Sequence, residues 1–177
     1  MKWIIPVLLL FILFACTQRS ETPPEIIEEN AARADIDSAA RLFLIAITND
    51  AWYQSEMAQT ALKKSHDTAI LKQALIISRQ YTRIKDRAKI VSIPYKLNMP
   101  YFLTGEQNQK VNELKALPES SFDREFIARV KGNDSVLMKR LMEIEGSPSN
   151  NTDEMKQFID FSKSVIATNE NEIKEFQ

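Results

Sequence analysis

Polar side chains interrupt four otherwise apolar helical stripes, and these residues occupy the positions most able to support chemistry. Side chains that recur every three or four residues share one helix face. The polar members of these faces are Gln54, Tyr81, Asn169 and either Asn133 or its neighbour Asp134. Because cofactor sites in helical bundles are built from inward-pointing side chains, these residues are predicted to form one polar layer in the middle of the core.

Three uses of this layer are open: a hydrogen-bonded network that fixes helix register, a small-ligand pocket, and a metal site. Asp134 is its only carboxylate, and one carboxylate with amides and a phenol is a poor set of ligands for a divalent metal. The network is therefore favoured, and neither metal nor cofactor is expected. A roomy cavity would instead favour a ligand, and a closed network a structural role.

Other catalytic arrangements find little support. His66, the single histidine, lies in a predicted turn, which excludes a histidine-containing di-iron centre. The single cysteine excludes an intramolecular disulfide and multi-cysteine metal sites. Three scattered glycines cannot supply a phosphate loop or a nucleophile elbow. No catalytic residue is assigned, and the chain is not expected to be an enzyme.

Five helices are predicted to position the layer. Asp67 is a plausible N-cap, and Thr104 and Gln107 have capping-box spacing. Burial of four long apolar stripes favours an all-α, up-down four-helix (ferritin-like) bundle, with a short extra helix between its two hairpins. The predicted helices run from Ile36 to Lys64, from Thr68 to Ser92, from Thr104 through Leu114, from near Ser120 to Gly146, and from Asn151 onward.

The amino terminus combines a cationic start with an apolar run that ends at Cys16. The run is shorter than the roughly 20 residues that a membrane-spanning helix needs, and is typical of a signal peptide. Its end, Leu13-Phe14-Ala15-Cys16, resembles the bacterial lipobox. That resemblance implies cleavage after residue 15 and a lipid on Cys16; the alternative is a buried core cysteine. Thr17, where aspartate would signal inner-membrane retention, favours the outer membrane, facing the periplasm.

Residues 17–34 are polar and acidic and include Pro23-Pro24, so they are predicted to be a flexible tether before a helical domain at 35–177. The formal net charge of −1 gives no electrostatic case for nucleic acid. No basic patch for anionic lipid headgroups is evident in the sequence. Membrane attachment is therefore expected to depend on the lipid alone.

Three segments of the helical region resemble one bacterial envelope family. They are Phe43 to Lys64, the loop Leu97-Asn98-Met99-Pro100, and Leu117 to Ile127, where Phe122-Asp123 opens a helix. Together they are similar to the DUF4142 family, a domain of unknown function with a ferritin-like bundle, often described as an outer-membrane protein. The resemblance covers Ile36 to Phe176.

Family members commonly carry histidines at the positions of Tyr81, Asp134 and a residue near Asn169, and a glutamate at the position of Gln54. This chain has none of those imidazoles. The resemblance thus implies a fold and an envelope setting, without an activity.

Together these features predict a lipid-anchored cell-envelope protein with a non-catalytic binding or structural role. Its expected partners are the membrane, through the N-terminal lipid, and an unidentified envelope protein or small ligand. The alternative is a ligand-binding, metal-storage or enzymatic bundle that uses the polar layer. A third possibility, a secreted partner or immunity-type protein, would show an exposed apolar patch instead.

Overall fold

The computed structural model describes residues 38–149 and 152–176. The predicted signal peptide, Cys16, the tether and Asn151 lie outside the described residues. Within them the prediction of an all-α protein is confirmed, as helices and loops make up these ranges. The α-helices are α1 (Ser38–Lys64), α2 (Thr68–Ser92), α3 (Gly105–Ala116), α4 (Glu119–Glu145) and α5 (Asp153–Ile173), and 3-10 turns follow α2 (Ile93–Tyr95) and α5 (Lys174–Phe176).

Two of the predicted helix starts agree with the structure. The Asp67 carboxylate accepts hydrogen bonds from the backbone amides of Ala69 and Ile70, at 2.7 and 3.2 Å, and so caps α2. Thr104 and Gln107 form the reciprocal capping box at the start of α3. These side chains satisfy amide groups that have no partner within the helix.

Two further starts differ by one or two residues, and the predicted start of the first helix at Ile36 lies outside the described residues. The sequence places the start of α4 near Ser120, but the helix begins at Glu119, because Pro118 has the extended conformation of an N-cap and its carbonyl accepts from the amides of Ser121 and Phe122. The hydroxyl of Thr152 accepts from the amide of Met155 at 3.1 Å, so the cap of α5 is Thr152 rather than Asn151.

The four long helices pack in a closed cycle. Helix α1 contacts α2 and α4, and α5 contacts the same two helices from the other side. Gln59 of α1 bonds to Ser78 of α2, and Gln73 of α2 bonds to Glu172 of α5. Lys163 of α5 forms an ion pair with Glu145 of α4. These contacts show that neighbouring helices are antiparallel.

Helices α2 and α4 run in the same direction, so the four long helices run up, down, down and up, and the predicted up-down order is wrong. The reason is that the connection between α2 and α4 travels the length of the bundle. Helix α3 covers part of that path by packing along α1, where Gln107 bonds to Asp50 and Lys64 bonds to the carbonyl of Lys115. One end of the bundle, called the Ser38 end below, thus holds the start of α1, the end of α2, the end of α4 and the start of α5.

The core is built from the predicted apolar stripes. Phe122 and Phe126 of α4 stack with ring centroids 6.3 Å apart, and Phe43 of α1 meets Phe158 of α5 edge to face. All four rings are buried. Hydrocarbon therefore fills the bundle on both sides of its middle, where the polar residues lie.

Candidate functional site

All five residues of the predicted polar layer are buried, and the four long helices each contribute to it. Gln54 comes from α1, Tyr81 from α2, Asn133 and Asp134 from α4, and Asn169 from α5. The sequence leaves open whether Asn133 or Asp134 belongs to the layer, and in the structure both do.

The carboxyl group of Asp134 is the centre of the layer. Gln54 Nε2 donates to Asp134 Oδ1 at 2.8 Å, and the Tyr81 hydroxyl donates to the same oxygen. Two donors from two other helices thus converge on one atom of α4. This convergence ties three helices together and fixes their relative height.

Gln54 links that carboxyl to a second pair of polar groups. Its Oε1 accepts from Asn133 Nδ2 at 2.9 Å, and its Nε2 also lies 3.2 Å from the carbonyl of Val130. Asn133 Nδ2 in turn reaches the carbonyl of Asp50 at 3.3 Å. The orientation of the Gln54 amide follows from these partners, because only its nitrogen can donate to the carboxyl and the carbonyl.

Burial dominates the acid–base properties of the layer. Removal from water raises the pKa of Asp134 to about 7; the hydrogen bond from Tyr81 opposes this rise, and the negative charge of Glu170 adds to it. Burial, followed by the neighbouring Asp134 charge, holds the pKa of Tyr81 well above its usual value of 10.0. At neutral pH the phenol is therefore protonated, and the carboxyl is close to its midpoint.

Two members of the layer keep unsatisfied polar atoms. Asp134 Oδ2 and both polar atoms of the Asn169 amide have no hydrogen-bond partner among the described residues. The Asn169 amide approaches the Tyr81 hydroxyl closely enough to lower the pKa of Tyr81, without the geometry of a hydrogen bond. Asn169 therefore occupies the predicted place but is not joined to the network by such a bond.

An ion pair beside the layer was not expected from the sequence. Asp50 Oδ2 lies 2.8 Å from Arg140 Nε, and Asp50 Oδ1 accepts from Gln107 of α3 at 3.3 Å. Burial raises the pKa of Asp50, and the Arg140 charge opposes that rise. The spacing of four residues between Asp50 and Gln54 places them on one face and could have suggested their association.

The layer has limited means for chemistry beyond holding a proton. Among residues 38–149 and 152–176, no three His, Cys, Asp or Glu side chains lie close enough together to bind a metal ion. Five clefts of about 340 to 690 Å³ open on the described surface, and none of these five is lined by Gln54, Tyr81, Asp134 or Asn169. Asn133 alone borders two of them.

A cleft on the outside of the bundle was not identified from the sequence. This Trp52 cleft has a volume of about 690 Å³ and lies between α1, the end of α2 with the turn after it, and the loop 97–101. From the first two of these it is lined by Thr48, Trp52, Lys85, Asp86, Lys89, Ser92 and Ile93. Trp52 Nε1 donates to the carbonyl of Pro100 at 3.2 Å, which holds the loop on α1. Lys85 Nζ lies 3.3 Å from the centre of the Trp52 ring, a cation–π contact.

The Lys85 ammonium group is partly withdrawn from water by this contact. Burial lowers its pKa, and the charges of Asp86 and Glu56 oppose the shift. Periodicity could not reveal the cleft, because it is formed by segments far apart in the chain.

In the ranges that the structure describes, none of the helices combines the length and the apolar character needed to cross a membrane. A family model for a domain of unknown function, DUF4142, matches residues 27–176. The match begins within the segment predicted as a tether. Comparison with curated proteins and with solved structures finds no match. Because the family match spans most of the sequence, the chain belongs to the DUF4142 family.

Proposed function

We propose that this protein is a lipid-anchored cell-envelope protein whose helical bundle has a non-catalytic, binding or structural role. Cys16 is the lipidated residue, and residues 17–34 connect it to the bundle. Support for the anchor comes from the cationic start, the short apolar run and the Leu13-Phe14-Ala15-Cys16 sequence. With Thr17 after the cysteine, the outer membrane facing the periplasm is the proposed location.

The proposed fold type is a ferritin-like bundle. In such folds one long crossover joins two helical hairpins. The antiparallel neighbours, the parallel α2 and α4, and the long connection through α3 all support this assignment.

One observation carries the non-catalytic role: the polar side chains of the core bond mainly to one another. Gln54, Tyr81 and Asn133 bond within the layer or to nearby backbone, and Asp134 accepts two of those bonds through a single oxygen. A substrate would need access to the carboxyl, which is fully buried. The layer therefore acts as a register-fixing network, and binding is assigned to the outer surface.

The anchor is tested by replacing Cys16 with serine in cells supplied with an alkyne fatty acid. The Cys16→Ser variant should lose the fatty-acid label, and its mature form should leave the membrane fraction, because serine cannot form the thioether to the lipid. The neighbouring Thr17→Ser variant is the control and should keep both properties. A fatty-acid label that persists in Cys16→Ser would contradict the anchor.

The unsatisfied atoms of Asp134 and Asn169 favour a second candidate, a small polar guest held within the layer. A buried water would satisfy them without any further function. Native mass spectrometry distinguishes the two, since a retained guest adds a fixed mass that a chain with only buried water lacks. A reproducible adduct lost in Asn169→Leu would favour the ligand-binding alternative.

A further inference from the structure

Exposed apolar side chains lie at and next to the Trp52 cleft. Ile93 is 64% exposed and Tyr101 76% exposed, and Ile90 and Phe102 beside them in the chain are also exposed. Tyr101 and Phe102 meet edge to face, with ring centroids 4.9 Å apart. Single exposed apolar side chains are ordinary, but two that line one cleft and two more close to them in the chain indicate an interaction surface.

The same surface carries positive charge. Lys85 and Lys89 line the cleft, and the exposed Lys96 lies between Ile93 and the loop; Asp86 is the acidic residue of the cleft lining. Lys85 is held over the Trp52 ring on the wall of the cleft, where the charges of Asp86 and Glu56 also act on it. Ammonium groups beside exposed aromatic and aliphatic side chains match the headgroup and upper acyl regions of an anionic bilayer.

The position of this surface in the fold brings it within reach of a membrane. Ile93 and Lys96 follow the end of α2, which lies at the Ser38 end, where the chain from Cys16 enters the bundle. The segment between Cys16 and Ser38 can extend to roughly 70 Å, since each residue spans about 3.3 Å. That length permits the bundle to turn its side against the bilayer.

We propose that the Trp52 cleft and its rim of Ile90, Ile93, Tyr101 and Phe102 form a docking surface for a bilayer that contains anionic phospholipid. The lysines contact lipid phosphates, and the apolar rim enters the boundary between headgroups and acyl chains. This inference rests on the proposed lipid anchor, which brings the surface to a membrane. It also revises the expectation, drawn from overall charge, that attachment depends on the lipid alone.

The test uses the full chain in vesicles of phosphatidylcholine with or without phosphatidylglycerol. Ile93→Cys carries an environment-sensitive fluorophore, and brominated acyl chains quench any label that enters the bilayer. The matched control is Leu75→Cys, an exposed position (40%) in the first half of α2, away from the turn that carries Ile93. In both chains an acylated Cys16 leaves the introduced cysteine as the only free thiol.

Docking predicts quenching at position 93 and little at position 75, stronger with phosphatidylglycerol and weaker in high salt. Lys89→Glu should reduce the docked-to-undocked ratio at least about fivefold, the effect of about one basic residue near an anionic surface. Lys72→Glu, exposed near the other end of α2, should leave it unchanged. Equal quenching at positions 93 and 75 would overturn the proposal.

Two further readouts distinguish bilayer docking from a soluble-anion site and from a missing anchor. A label at position 93 that responds to inorganic phosphate, but is not quenched by brominated lipid, would identify a soluble-anion site and overturn bilayer docking. The mass of the N-terminal peptide reports acylation of Cys16 independently of the fluorescence. The anchor and the docking surface can therefore fail separately.

Discussion

The polar layer and the Trp52 cleft both combine an ionisable side chain with an aromatic one, but the first pair is buried and the second lies at the surface. In the layer, Tyr81 and Asp134 are fully buried and bond to each other. In the cleft, Lys85 lies on the face of Trp52 and Tyr101 is largely open to solvent. The layer satisfies most of its polar atoms internally, whereas the cleft leaves charge and aromatic surface available to a partner.

With the proposed docking at the cleft, this difference would separate stability from binding within one small bundle. A buried network restricts the allowed alignments of the helices, because a shift by one turn would leave a carboxyl and amides without partners. An open cleft adds little to stability, but it offers the contacts that a bound surface needs. Substitutions in the two regions should therefore differ in what they change.

The largest difference is expected between two phenylalanines. Phe126→Ala in the core near the layer should lower the free energy of unfolding by about 3–5 kcal/mol, since the ring is fully buried. Phe102→Ala at the cleft rim, where the ring is 44% exposed, should change it by about 0.5 kcal/mol or less. Urea unfolding measures both. A loss below about 1 kcal/mol for Phe126→Ala would show that the ring is not core.

The next largest effect is a pH dependence that belongs to the layer alone. The pKa of Asp134 is about 7 in the fold against 3.8 when exposed, so the folded state holds its proton more tightly. The resulting stabilisation is fully present below about pH 4 and is lost as the pH rises to about 7. Between pH 5 and pH 8 the loss should be about 3 kcal/mol.

Asp134→Asn is the control for this pH dependence, because the amide keeps the shape of the side chain and does not titrate. Its unfolding free energy should fall less between pH 5 and pH 8 than that of the parent. The difference between the two profiles isolates Asp134 from other groups such as Asp50, whose pKa is also raised. Parallel profiles would contradict the assigned pKa.

A smaller effect is expected from removing one hydroxyl group. Tyr81→Phe should cost about 1–3 kcal/mol, because Asp134 loses one of its two donors. That hydrogen bond also lowers the pKa of Asp134, so its removal should raise this pKa. The pH-dependent loss of stability that Asp134 causes should then occur at higher pH. Tyr101→Phe in the cleft is the matched comparison and should move neither quantity. If Tyr81→Phe and Tyr101→Phe changed the unfolding free energy and its pH dependence equally, the contrast between a stabilising layer and an open cleft would be wrong.

Much of the fold could be predicted, because the information lies in short segments. Apolar spacing identified the buried faces, and side-chain chemistry identified Asp67 and Thr104 as caps. Gln54 and Tyr81 could be assigned to one layer because each interrupts an apolar stripe. The start of α4 lies one residue before the predicted Ser120, since the first turn is closed by the Pro118 carbonyl, and a backbone group leaves no mark in the sequence.

What could not be predicted depends on contacts between distant segments. Periodicity shows which face of a helix is buried but not which helix it meets, so the parallel course of α2 and α4 has no local signature. The ion pair of Asp50 with Arg140 and the contact of Lys85 with Trp52 need the same information. Surfaces formed by such contacts can be identified only from the three-dimensional structure.

The long connection between α2 and α4 also bears on the order of folding. The hairpin of α1 and α2 forms from neighbouring segments, whereas joining it to the α4–α5 hairpin must close a longer loop at greater entropic cost. Gln54 and Tyr81 then stay hydrated until Asp134 arrives with the second hairpin. If the two hairpins packed in the wrong alignment, Gln54 and Tyr81 would be dehydrated without the Asp134 carboxyl as an acceptor. We therefore expect the layer to disfavour misassembled halves while the chain is still folding.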